Sequence, residues 1–230
     1  MYVLAARASV LALTLALVVS CGGDDEGADS TTVSLATSAS TATVSPEELD
    51  SMLLSVDDLG DAWQLGSPIN EGDLNDSVRA PCGAPLDPGL VERLRAVTGI
   101  QFVPSDDSQG TLIEFMTTGE PTQLSADVQE LMAAFLACPP TATPTDEFGY
   151  AAWESLDLPE LGDQQLGFSW MGAVTPESEV VLIGQTAMVR DGSVFLSVGT
   201  MEMVPVGEAP LLPDEEFIAV VTAAVGHVTG

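Results

Sequence analysis

The sequence predicts an α+β fold on a largely antiparallel sheet. Helical segments with clear start signals are interspersed with strand-like runs rather than alternating one for one with them. Neighbouring strand-like runs are joined by short turns, of which Asp191-Gly192 between two long runs is the plainest hairpin signal. At 46% hydrophobic, the chain has ample material for one core of ordinary domain size.

The first 20 residues read as an export signal. One positive charge, Arg7, precedes an uncharged run from Ala8 to Ser20 that is too short to span a bilayer. Leu17-Val18-Val19-Ser20-Cys21 ends this run, and Gly22-Gly23-Asp24-Asp25 turns polar at once. The Val-Val-Ser-Cys ending resembles a bacterial lipobox, which implies that Cys21 is the lipid-modified first residue of the mature chain. The alternatives are an ordinary secretory signal with Cys21 incidental, or an uncleaved anchor. Residues 21–45 contain ten Ser or Thr and no aromatic, and they read as a flexible tether. Residues 46–230 are the expected folded domain.

Ser45-Pro46-Glu47-Glu48 places a capping Ser before Pro at the first helical position, with Glu three residues past the cap. Leu49, Met52 and Leu53 share a face of this helix. Ser55-Val56-Asp57-Asp58 opens a second, short one that ends near Gly60. A strand is expected from Trp63 to about Ile69, then a polar loop from Asn70 to Pro81. Pro88 to Val97 reads as a helix with Leu90, Leu94 and Val97 on one side. Thr98–Val103 and Thr111–Thr117 read as strands. In the second, Ile113 and Phe115 alternate with Leu112, Glu114 and Met116, so one face is half exposed.

Ser125 is the expected cap of a helix in which Val128, Leu131, Met132, Phe135 and Leu136 follow helical spacing. Cys138 closes it and Pro139-Pro140 stops it. The last third reads as strands over Gln165–Val174, Glu179–Arg190 and Ser193–Val204. A final helix covers Asp214–Val225, with Phe217, Val220, Val221 and Ala224 inward.

The charge is extreme, with 35 acids against 5 basic residues and a formal net charge of −30. Beyond residue 20 there are four arginines and no lysine, so four against 35 leaves −31. Such a field repels phosphates, and nucleic acid is excluded as a partner. Attachment to a membrane then rests on acyl chains, several of which hold stably.

With Cys21 used for lipid, Cys82 and Cys138 remain as a pair in an oxidising compartment, where a disulfide is expected. Closing their 57-residue loop is worth roughly 4 kcal/mol in the chain-entropy model. The rival readings are two buried thiols, or a thiol nucleophile.

Several features together resemble actinobacterial lipoproteins whose domain is similar to the extracellular sensor domain of mycobacterial receptor Ser/Thr kinases. They are Leu53-Leu54-Ser55-Val56-Asp57-Asp58-Leu59 running to Trp63, then Cys82, and the helix Ala126–Ala137 with Cys138 at its end. The loop Leu158-Pro159-Glu160-Leu161-Gly162-Asp163 and the hairpin Val189-Arg190-Asp191-Gly192-Ser193-Val194 complete the set. The resemblance covers about residue 46 to the C-terminus. It implies a twisted antiparallel sheet flanked by helices, with a cleft for an extracellular ligand. The kinase-linked domains carry a second disulfide that this chain lacks. The 230 residues hold no kinase domain, so any signal would pass through a partner.

No catalytic set is expected. The one histidine, His227, lies near the end, where it reads as a cation at a helix C-terminus. No Gly-x-Ser-x-Gly, His-Glu-x-x-His or Gly-x-x-x-x-Gly-Lys stretch occurs. One His and two pairing Cys disfavour zinc, and Asp73-Leu74-Asn75-Asp76 departs from a calcium loop, so neither metal nor cofactor is expected. Asp57-Asp58-Asp61, Asp106-Asp107 and Asp214-Glu215-Glu216 read as helix starts and solvated turns. Trp63, Trp153 and Trp170, with Tyr150, are the candidate lining of a ligand cleft; the alternative is that they are core. Arg79, Arg93, Arg95 and Arg190 either clamp an anionic group or pair with the surplus carboxylates. The expected function is a non-catalytic, ligand-binding or sensor-like envelope lipoprotein, with an accessory role to envelope proteins as the alternative.

Overall fold

A capping box opens the first element. The Glu48 amide donates to the Ser45 hydroxyl at 3.3 Å, and the Ser45 amide donates to the Glu48 carboxylate at 2.8 Å. The computed structural model describes residues 44–75, 78, 86–106, 110–137, 150–173, 179–207 and 212–230. These belong to the unit Ser40–Gly230; the unit Met1–Ala39, and with it Cys21, lies outside the described residues, as do Cys82 and Cys138.

The elements in order are helices α1 (Pro46–Met52) and α2 (Val56–Leu59), strand β1 (Trp63–Leu65), helices α3 (Glu71–Asn75) and α4 (Pro88–Leu94), and strands β2 (Thr98–Pro104) and β3 (Gly110–Thr118). Then come helix α5 (Pro121–Leu136), strands β4 (Tyr150–Leu156), β5 (Gln164–Ala173), β6 (Val180–Asp191) and β7 (Val194–Pro205), and helix α6 (Asp214–Thr229). The strands form one sheet in the order β1-β2-β3-β7-β6-β5-β4, with every neighbouring pair antiparallel. The α+β class and the antiparallel sheet are as the sequence predicts.

Helices cover both faces. Alternation along β6 and β7 sends Ala187, Val189, Leu196 and Val198 to one side, where they pack with Leu49, Leu54, Phe217 and Val221 of the α1, α2 and α6 region. Met188 and Phe195 point the other way, into a second cluster with Leu90, Leu94, Val128 and Leu131 from α4 and α5. Gly192 takes φ +54° in the β6–β7 turn, which is why Asp-Gly serves there.

Several boundaries differ from expectation. Helix α5 starts at Pro121, capped by the Glu120 side chain accepting from the Gln123 amide at 2.8 Å, so Ser125 lies inside it. Strand β1 ends at Leu65, and the Asn70–Pro81 stretch begins with α3, whose Gly72 amide donates to the Asn70 side chain at 2.8 Å. Helix α4 stops at Leu94, leaving Val97 exposed, where its amide bonds the Met116 carbonyl. The α6 helix runs on to Thr229, which puts His227 in its last turn rather than past it. Strand β4 was not anticipated at all. No helix among the described residues is long and apolar enough to cross a membrane.

Candidate functional site

Strand β4 completes the principal groove. Pairing of β4 with β5 sets Trp153 opposite Trp170, and pairing of β5 with β6 sets Trp170 opposite Gly184. A Cβ at Gly184 would lie 2.1 Å from the Thr200 carbonyl oxygen and 2.7 Å from the Trp170 ring, so only glycine lets this indole lie across β6. From α5, Phe135 stacks on Phe168 with centroids 4.9 Å apart and meets Trp153 edge-on at 6.3 Å. Trp153 and Phe168 close the triangle at 5.5 Å. A groove of about 980 Å³ runs past these residues, with Glu154, Gln185 and Asp214 also bordering it.

Among the described residues, no Arg or His borders this groove, while two carboxylates do. Gln185 donates through Nε2 to the Asp214 carboxylate at 2.7 Å, which ties β6 to the start of α6. Among the described residues, its Oε1 is buried without a hydrogen-bond partner on the α6 side of the sheet, and the Trp153 indole N–H is likewise unpaired on the α5 side. Unpaired buried polar atoms cost about 1–3 kcal/mol each and are uncommon away from sites.

Trp63 does not join the other two tryptophans, which corrects the expectation of one shared lining. It sits on β1, at the opposite edge of the sheet from β4, roughly 29 Å away at six strand spacings of about 4.8 Å. There it is buried at 6% exposure in the α1–α6 core and borders a separate cavity of about 610 Å³ beside Asp58, Asp106 and Glu216. Tyr150 is the first residue of β4.

The arginines within the described residues bind carboxylates. Arg93 forks onto Asp127, Arg95 reaches Glu92 at 3.2 Å, and Arg190 reaches Asp163 at 2.9 Å. Arg190 is itself buried and also donates to the Gln164 side chain and the Gly192 carbonyl, bracing the β6–β7 turn. Arg79 lies outside the described residues.

Sequence reading missed Glu114 as a distinctive group. Glu114 lies on the fully buried face of β3, between Leu112 and Met116, while Ile113 and Phe115 are only half-buried. Its carboxylate accepts from the Leu54 amide at 2.8 Å, yet burial raises its pKa from 4.5 to about 7. A lone acid among apolar neighbours in an alternating run was the available signal.

Comparison with solved structures finds the same fold in the crystal structure of the extracellular domain of PknH from Mycobacterium tuberculosis. The TM-score is 0.52 at 12% identity, covering 83% of this chain and 100% of that one. No known family pattern and no curated protein matches the sequence.

Proposed function

We propose that this chain is a non-catalytic, sensor-like binding module of the cell envelope, and that the groove beside Trp153 and Trp170 takes its ligand. The observation that carries the reading is the groove's aromatic wall, beside which the buried Trp153 indole N–H has no hydrogen-bond partner among the described residues. Glu154 and Asp214, with no bordering cation among the described residues, favour an uncharged or cationic ligand with an apolar face over a phosphate or carboxylate. The fold shared with the extracellular domain of PknH supports an extracytoplasmic address.

Lipid on Cys21 would hold the module at the membrane, and a Cys82–Cys138 bridge would strengthen it. Mass spectrometry of membrane-extracted protein tests both. A lipidated peptide beginning at Cys21 and a non-reduced Cys82–Cys138 crosslinked peptide are expected.

The binding test is a thermal-shift series with neutral glycans, cationic peptides and anionic counterparts on the wild type and Trp170→Ala. Stabilisation by a neutral or cationic compound, lost in the variant, is expected. Stabilisation by none of them, or undiminished binding by Trp170→Ala, would remove the groove as the site.

One observation favours the accessory reading. Met201, Met203, Val180 and Val206 are exposed at 43%, 55%, 47% and 59% near the far end of the β6–β7 pair. A protein partner crosslinked at Met203, with no small ligand bound by the groove, would favour that role.

A further inference from the structure

Residues 53–58 join α1 to α2 and form the first turn of α2. Two polar side chains fasten them to the rest of the fold. Glu114 is the first. Its register neighbours on β2 and β7 are Ile100 and Val198, so no polar group flanks it along the sheet. One carboxylate oxygen accepts the Leu54 amide, and the other is buried without a partner among the described residues. A charged carboxylate there leaves an unpaired anionic oxygen in an apolar setting, whereas the acid form leaves only a neutral hydroxyl.

His227 of α6 is the second. Its Nδ1 lies 3.3 Å from the Leu53 carbonyl oxygen, and its Nε2 lies 3.3 Å from a carboxylate oxygen of Asp58. Both partners are acceptors. The other Asp58 oxygen accepts the Ser55 amide at 2.7 Å and the Ser55 hydroxyl at 2.6 Å, so the whole link is drawn together.

We propose that Glu114 is a proton-operated clamp, which fastens the α1–α2 link to β3 when protonated and loosens it when the proton leaves, while His227 holds the same link to α6. Two charged groups face Glu114 among the described residues, Asp58 from α2 and His227 from α6. Asp58 favours the acid form of Glu114, while a charged His227 opposes it, as does the Leu54 amide. Burial outweighs both opposing effects and pushes the group up to about 7. Loosening is expected to stay local, because Leu49 and Leu54 are held in the apolar core beside the link.

Hydrogen exchange of the full chain between pH 5 and 8.5, corrected for the intrinsic rate at each pH, tests this. Peptides covering 46–59 are expected to lose about tenfold in protection from pH 6 to pH 8, as a group held near 7 gives up its proton. Peptides from β5 and β6 are the internal reference, and Glu114→Gln is expected to flatten the profile. An unchanged wild-type profile, or an equal loss in Glu114→Gln, overturns the clamp. The wild-type series decides alone if that variant does not fold.

Discussion

Arg93 and Asp127 meet as a two-pronged pair. Arg93 Nε and Nη2 each donate to one Asp127 oxygen at 2.8 Å, joining α4 to α5. Asp127 is on the buried side of α5 at 3% exposure, and the Gln123 side chain donates to it as well. The three arginines among the described residues are thus spent on the chain's own carboxylates, and none of them borders the groove.

This pair sets a pH dependence with a definite sign. The Arg93 guanidinium holds the Asp127 carboxyl below its ordinary value of 3.8. Its contribution is therefore complete above that value and disappears as pH falls through the depressed one. Arg93→Gln should lower the urea midpoint at pH 7, and its deficit should shrink between pH 4 and pH 2. An equal deficit at both ends would show that the pair acts through packing alone.

Glu114 has the opposite sign. Its folded-state pKa of about 7 stands above the ordinary 4.5, so its contribution is full below 4.5 and is lost as pH rises through 7. That difference corresponds to on the order of 3 kcal/mol. Relative to wild type, Glu114→Gln should gain about that much between pH 4.5 and pH 8 in denaturant melts. A constant offset across this range would contradict the assignment.

Gly184→Ala should cost about 1–3 kcal/mol, because the new methyl meets the β7 backbone at Thr200 and the Trp170 ring together. A thermal melt measures the cost. The same variant should change the tryptophan emission, since Trp170 must leave its position across β6.

Phe217 anchors α6 and is fully buried against the sheet. Phe217→Ala should destabilise by about 3–5 kcal/mol. Chemical denaturation followed by circular dichroism would reveal it, and a loss below 1 kcal/mol would mean that α6 contributes little to the core.

Local chemistry was the most legible part of this chain. The Ser45 box and the Asp191-Gly192 turn involve atoms no more than a few residues apart, so neighbours in sequence determine them. The cap of α5 was misread because Ser125 and Glu120 both precede acceptable helical runs, and only Glu120 has Pro121 at the first helical position behind it. Strand β4 was missed because Tyr150 to Leu156 carries two alanines and a glutamate, a weak strand pattern on its own. It becomes a strand by pairing with β5 along seven residues.

From the sequence alone came the α+β class, the order of most elements, the acidic surface and the absence of a catalytic motif. Each follows from spacing or composition, which survive without knowledge of distant contacts. Tertiary structure alone decided which tryptophans share a groove, because β1 and β4 are near or far only through the strand order. It also decided that Glu114 would be buried. Alternation separates the two faces of β3, but whichever face α1 and α6 cover becomes the core, and here that face carries the acid.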